Sequence, residues 1–195
     1  MFRIAPLFNS NLNNWNTSAV TDMRFLFSGA SSFDSPLSDW DVSFATDMSF
    51  MFRDATSFSQ DISDWDVSNV ENMEEMFNST SAFTSELGSW DVRNVRNMKE
   101  MFNSTSAFTS DLGSWDVGNV GNMEAMFRNA SSFTSTLDQW NVTSVTNMDS
   151  LFEGAANFTS NLTDWCVEKI PTEPEDFATG SQVVESAYPN WGQPC

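Results

Sequence analysis

Trp90-Asp-Val-Arg-Asn-Val-Arg-Asn-Met-Lys-Glu-Met-Phe102-Asn-Ser-Thr-Ser-Ala-Phe108-Thr-Ser-Asp-Leu112-Gly-Ser-Trp115 decides the fold, because its key residues return every 25 positions along nearly the whole 195-residue chain. Tryptophan stands at 15, 40, 65, 90, 115, 140 and 165, and only Trp191 falls outside the series. Fifteen of the 18 Phe fall in two columns, one running from Phe2 through Phe27 and Phe52 to Phe177, the other from Phe8 through Phe33 and Phe58 to Phe158. All 11 Met occupy two further columns, Met23/48/73/98/123/148 and Met1/51/76/101/126. Self-similarity at such a period marks an array of stacked units, each burying its apolar face against its neighbours.

Inside one unit, Leu87-Gly-Ser-Trp90-Asp-Val92 alternates apolar and polar positions around the tryptophan, the period-2 pattern of a half-buried strand. Met98, Met101, Phe102 and Thr105 then follow the i, i+3, i+4, i+7 spacing of a short helix. Asp22, Asp47, Asn72, Asn97, Asn122 or Asn147 stands just ahead of that stripe as a helix N-cap, strengthened three residues on by Glu75 and Glu100 in two units. The expected architecture is an α/β solenoid, a right-handed coil with one parallel sheet and a short helix per turn. Residues 1–165 make seven turns that start within a repeat, as in a fragment of a longer protein. Residues 166–195 form a C-terminal cap, with Cys166 and Cys195 paired as a disulfide in preference to two free thiols.

The unit Trp65-Asp-Val-Ser-Asn-Val-Glu-Asn-Met-Glu-Glu-Met-Phe77, followed by Phe83 and Leu87, closely resembles the repeat of the BspA-like bacterial surface proteins. The ending Pro189-Asn-Trp-Gly-Gln-Pro-Cys195 is similar to that of many members. The resemblance implies a leucine-rich-repeat-like architecture, display outside the cell as a cell-surface or secreted protein, and adhesion to a protein or glycan on another surface. It implies no catalytic residues.

Composition narrows the function classes. Only 8 Lys+Arg stand against 27 Asp+Glu, and the resulting net charge of −19 repels nucleic acid and anionic membranes alike. No apolar run approaches the roughly 20 residues that span a bilayer, so direct membrane insertion is not expected. With no His, neither a His-based triad nor an imidazole-bound metal is available.

The candidate site residues are those that depart from the period. Phe25, Phe44 and Phe50 lie outside the core columns, and exposed aromatics so clustered mark a contact patch for a ligand or for another part of a longer protein. Asp39, Asp41, Asp64 and Asp66 flank two successive tryptophans, and on a sheet they would form a rectangle of about 5 by 7 Å. Such a group either takes a hard cation such as Ca²⁺ or is an ordinary solvated acidic face. Ser85, Ser110, Ser135 and Ser160, each preceded by Thr, read as turn-forming hydroxyls. The expectation is a monomeric, non-enzymatic extracellular binding or adhesion module with no required cofactor and calcium as the one candidate ion. The alternatives are a structural spacer of a surface protein and a carbohydrate-active enzyme using the acidic face.

Overall fold

A computed structural model describes residues 2–195; Met1, assigned above to a methionine column, lies outside them. Residues 25 apart stack upon one another, yet the strand and helix expected of each unit are not formed. The one helical element among the described residues is a 3₁₀ turn over Glu185–Ala187. Parallel pairing is confined to single-residue bridges joining Asp22, Asp47, Asn72, Asn97, Asn122 and Asn147 in sequence. The leucine-rich-repeat-like α/β solenoid, with a sheet and a helix in every turn, is therefore not the architecture of this chain. Each coil is instead a succession of four-residue turns.

The spacing of buried residues explains the difference. Leu87, Trp90, Val92, Val95, Met98, Met101, Phe102, Thr105 and Phe108 are all buried, and the commonest step between them is three. A step of three places both apolar residues at the ends of one turn, closed by the backbone bonds Trp90 N→Leu87 O (3.0 Å), Val95 N→Val92 O (2.9 Å) and Phe108 N→Thr105 O (3.1 Å). A strand needs sustained alternation, and only Trp90 and Val92 supply a step of two.

The helical stripe is buried as its spacing requires, Met98, Met101, Phe102 and Thr105 each being 0% exposed. The backbone beneath it is not helical. A helix directs every N–H to the carbonyl four residues back. Here alternate N–H groups leave the coil: Met98, Glu100, Phe102 and Ser104 donate to Asn122, Glu124, Met126 and Arg128 of the next coil at 3.0, 2.8, 2.9 and 2.7 Å. The intervening groups close turns within the coil, such as Met101 N→Met98 O (3.2 Å) and Thr105 N→Phe102 O (3.1 Å). In these turns the third residue has positive φ, +52° at Glu100 and +59° at Ser104, the conformation of a type II turn. The expected N-caps accept a hydrogen bond from the N–H two residues on, as in Lys99 N→Asn97 Oδ1 (3.1 Å), so they serve Asx turns.

Aromatic columns hold the coils together. The Phe102 ring lies 5.7 Å from Phe77 and 5.8 Å from Phe127, nearly parallel to both, and 4.1 Å from Phe108 in its own coil. Each core Trp from 40 to 165 donates its indole N–H to a carbonyl 28 residues earlier, as in Trp115 Nε1→Leu87 O at 2.8 Å. The buried serines have a stacking role that the sequence reading missed. The Ser110 hydroxyl accepts the N–H of Leu87 (2.8 Å), and Ser135 and Ser160 repeat the arrangement for Leu112 and Leu137. These bonds satisfy backbone donors that an extended segment without a sheet partner would otherwise leave buried and unpaired.

The end of the chain continues the pattern with one extra residue. Ser150, Phe152 and Gly154 donate to Glu175, Phe177 and Thr179, 25 positions ahead, where Glu100 donates to a carbonyl 24 ahead. Phe177 stands edge-on to Phe152 at 84°, and Tyr188 and Trp191 meet it edge-on in turn, so the column of parallel rings stops there. Cys166 and Cys195 form a disulfide with Cα atoms 5.6 Å apart. Gly192, at φ +65°, lets the tail pass close to the last coil: a Cβ there would lie 2.8 Å from the Pro171 carbonyl oxygen. Among the described residues no helix is long and apolar enough to cross a membrane.

Candidate functional site

The third residue of the turn that runs from Met98 to Met101, and of its equivalents in the other coils, forms a column: Phe25, Phe50, Glu75, Glu100, Ala125 and Ser150, all at φ between +51° and +61° and all half-buried except the buried Ala125. Glycine adopts this conformation most readily, and a bulky aromatic there is an outlier whose retention needs compensation. Phe25 and Phe50 supply it by stacking, with centroids 4.5 Å apart and planes 6° from parallel. Arg3 lies over the Phe25 ring at 4.5 Å, and Arg53 lies 5.9 Å from the Phe50 centroid. Stacking of this kind contributes about 0.5–1.5 kcal/mol beyond area burial, comparable with the strain that it offsets. The two rings are half-buried and bracketed by guanidinium groups.

The same column continues as carboxylates. Arg53 pairs with Glu75 at 3.0 Å. Asn78 donates to both Glu75 (3.2 Å) and Glu100 (3.0 Å), and Asn103 donates to Glu100 (3.0 Å). Burial pushes the Glu75 carboxyl above its ordinary value, and the neighbouring Glu100 and Glu74 add to this against the opposing pull of Arg53. Lys99 bridges the next coil through Glu124 at 2.9 Å, and that bond raises its own pKa. Arginine, aromatic, carboxylate and amide groups thus follow one another along a single edge. The sequence held a signal for the last two, since Asn78 and Asn103 each stand three residues after Glu75 and Glu100.

Phe44 stands apart. It is 60% exposed and forms no aromatic pair among the described residues, so the three departing Phe do not make one patch. The next three coils carry Asn69, Asn94 and Asn119 in its column, whose side-chain amides donate to the backbone carbonyls of Ser43, Ser68 and Arg93 in the preceding coil.

Asp39, Asp41, Asp64 and Asp66 do not assemble the expected calcium group. Among the described residues no three acidic or Cys side chains come together in a way that could hold a metal ion. The physical reason lies in the turns. Asp41 Oδ1 accepts from the N–H (3.0 Å) and hydroxyl (2.6 Å) of Ser43, bonds that hold its pKa below the ordinary value, and Asp66 accepts from the Ser68 N–H (3.0 Å). Asp91, Asp116 and Asn141 repeat this bond with the residue two positions on. Asp39 and Asp64 are exposed.

The family model described as "Mycoplasma protein of unknown function, DUF285" matches the chain twice, over residues 1–90 and 72–191. A comparison with curated proteins gives no match.

Proposed function

The chain belongs to the family described as Mycoplasma protein of unknown function, DUF285, and from that membership we propose that it is a non-enzymatic, BspA-like extracellular module that binds a protein or glycan on another surface. The observation that carries the reading is the column Phe25, Phe50, Glu75, Glu100. A turn position that favours glycine carries two aromatics and two carboxylates in four successive coils, and strain retained in this way is characteristic of contact sites. Phe44 adds an exposed aromatic ahead of the amides Asn69, Asn94 and Asn119 in the same column. The disulfide between Cys166 and Cys195 supports placement at the cell surface or in the medium, because such bonds persist in oxidising compartments. One carboxylate oxygen of Asp41 and one of Asp66 is engaged in a turn.

A structural spacer is the second reading, favoured by the near-identical ring spacing from coil to coil. Arrays of glycans and matrix proteins probed with the purified chain separate the two. The binding reading predicts a ligand whose affinity falls at least tenfold in Phe25→Ser/Phe50→Ser or in Phe44→Ser, with the melting temperature of Phe44→Ser unchanged because its ring is exposed. Binding that survives both variants removes the site. No binding to any arrayed protein or glycan leaves the spacer.

A further inference from the structure

We propose that the cleft between Asn147 and the segment 170–175 binds an extended, basic peptide, which completes a backbone pairing that the stack leaves open there. From Asp22 to Asn122, each residue of the bridging column is flanked by two backbone bonds to the next coil. The carbonyl before it accepts and the N–H after it donates. At Asn122 these bonds are Thr146 N→Gly121 O (2.9 Å) and Met123 N→Asn147 O (3.0 Å). Asn147 comes next in the column and has neither. Among the described residues the Thr146 carbonyl accepts no hydrogen bond and the Met148 N–H donates none.

The sequence accounts for the gap. Pro171 follows Thr146 in a column where Glu71, Arg96, Gly121 and Thr146 each supply an N–H to the preceding coil, and proline has none to give. The extra residue ahead of Glu175 then shifts the register, and pairing resumes only at Ser150 N→Glu175 O (2.8 Å). The gap is therefore internal to the chain, with paired backbone on either side of it. A cleft of 410 Å³ lies there, lined by residues 146–149 of the last regular coil and 170–175 of the tail. Met148 is 0% exposed, and a buried N–H without an acceptor is destabilising until a ligand's carbonyl meets it.

Backbone chemistry and charge select the occupant. In each earlier pair the complementary groups are the N–H of one residue and the C=O of the next, as Thr146 and Asn147 supply them to Gly121 and Met123. Two successive residues of an extended polypeptide carry the same pair, so the opening has the form of a strand-addition site. Asp149, Glu173 and Glu175 line the cleft, and no Lys or Arg does. Asp149 gives one oxygen to the Glu175 N–H (3.1 Å), while Glu173 and Glu175 are exposed. A chain of net charge −19 draws cationic segments toward it, and these carboxylates meet their side chains at the cleft.

Titration of the isotope-labelled chain with acetyl-Lys-Val-Lys-amide, followed by NMR, tests this. The expected result is saturable binding with a Kd of about 0.1–1 mM, the Met148 amide proton moving downfield while that of Met123, already bonded, stays in place. The same tripeptide methylated on its backbone nitrogens keeps its charge but cannot donate to Thr146, and it binds at least tenfold more weakly. Glu173→Gln with Glu175→Gln, at two exposed positions, weakens binding at least threefold without lowering the melting temperature. Phe25→Ser/Phe50→Ser leaves it unchanged, so this result and that of the array experiment are independent. An unmoved Met148 amide overturns the proposal. So does equal binding of the methylated peptide, which marks attraction to net charge alone, or of acetyl-Glu-Val-Glu-amide, which removes the basic partner.

Discussion

Phe102→Ala is expected to destabilise the chain by about 3–5 kcal/mol, lowering the melting temperature by about 10 °C or more. The ring is fully buried and meets Phe77, Phe108, Trp115 and Phe127, so truncation removes contacts in three coils at once and leaves a cavity that turn-built backbone has little freedom to close. The same substitution at Phe2 is expected to cost less than half as much. That ring is partly exposed and has a neighbouring coil on one side only, at Phe27. In a stack where each unit touches only its neighbours, a central deletion weakens two interfaces and a terminal one weakens one. Urea denaturation followed by tryptophan fluorescence measures both, and equal losses at the two positions would contradict the stacking account.

Reducing the Cys166–Cys195 disulfide, or replacing Cys195 with Ser, is expected to cost about 3–4 kcal/mol from the freed loop of the unfolded chain. The loss is regional. Residues 175–187 reach the stack through Phe152 N→Phe177 O, Gly154 N→Thr179 O and Leu162 N→Ala187 O, each 2.8 Å, and these amides are the ones to lose protection when the tail loosens. Amides such as Phe52 and Phe77, bonded to coils far from the cap, should keep theirs. Hydrogen exchange with and without reductant reads the contrast directly. Unchanged protection at Phe152, Gly154 and Leu162 would show that packing of Phe177, Tyr188 and Trp191 holds the tail without the bond.

The columns of the core were legible in the sequence and the backbone that carries them was not. All twelve of the largest fully buried side chains come from the two Phe columns, and the Met98, Met101, Phe102, Thr105 stripe is buried throughout. Periodicity reports which residues share a face, and turns closed over a step of three share faces as well as a helix does. What hid the turns was the missing glycine signal. The positions at positive φ are held in one column by Phe25, Phe50, Glu75, Glu100, Ala125 and Ser150, and in the other by Asp54, Ser79, Ser104 and Asn129, with glycine only at Gly29 and Gly154 of that second column. The turn role of the aspartates was hidden in a related way. Asp41 and Asp66 are exposed, as an acidic face requires, and their further role as acceptors for the N–H two residues on leaves no mark in spacing or charge. Phe25 and Phe50 stand out as departures from the period, and the arginines that bracket them, Arg3 and Arg53, share one column with Asn78, Asn103 and Arg128, which lies beside the Phe column only once the turns are formed.

Hydrogen-bond scalar couplings measured by NMR on isotope-labelled protein test the central claim, that coils stack through their backbones without forming a helix. The account predicts couplings from the Phe77 amide to the Met101 carbonyl and from the Phe102 amide to the Met126 carbonyl, both 2.9 Å bonds between residues 24 apart. Positive-φ shifts at Glu100 and Ser104 should accompany them. A coupling from the Phe102 amide to the Met98 carbonyl, four residues back, would place a helix there and contradict it.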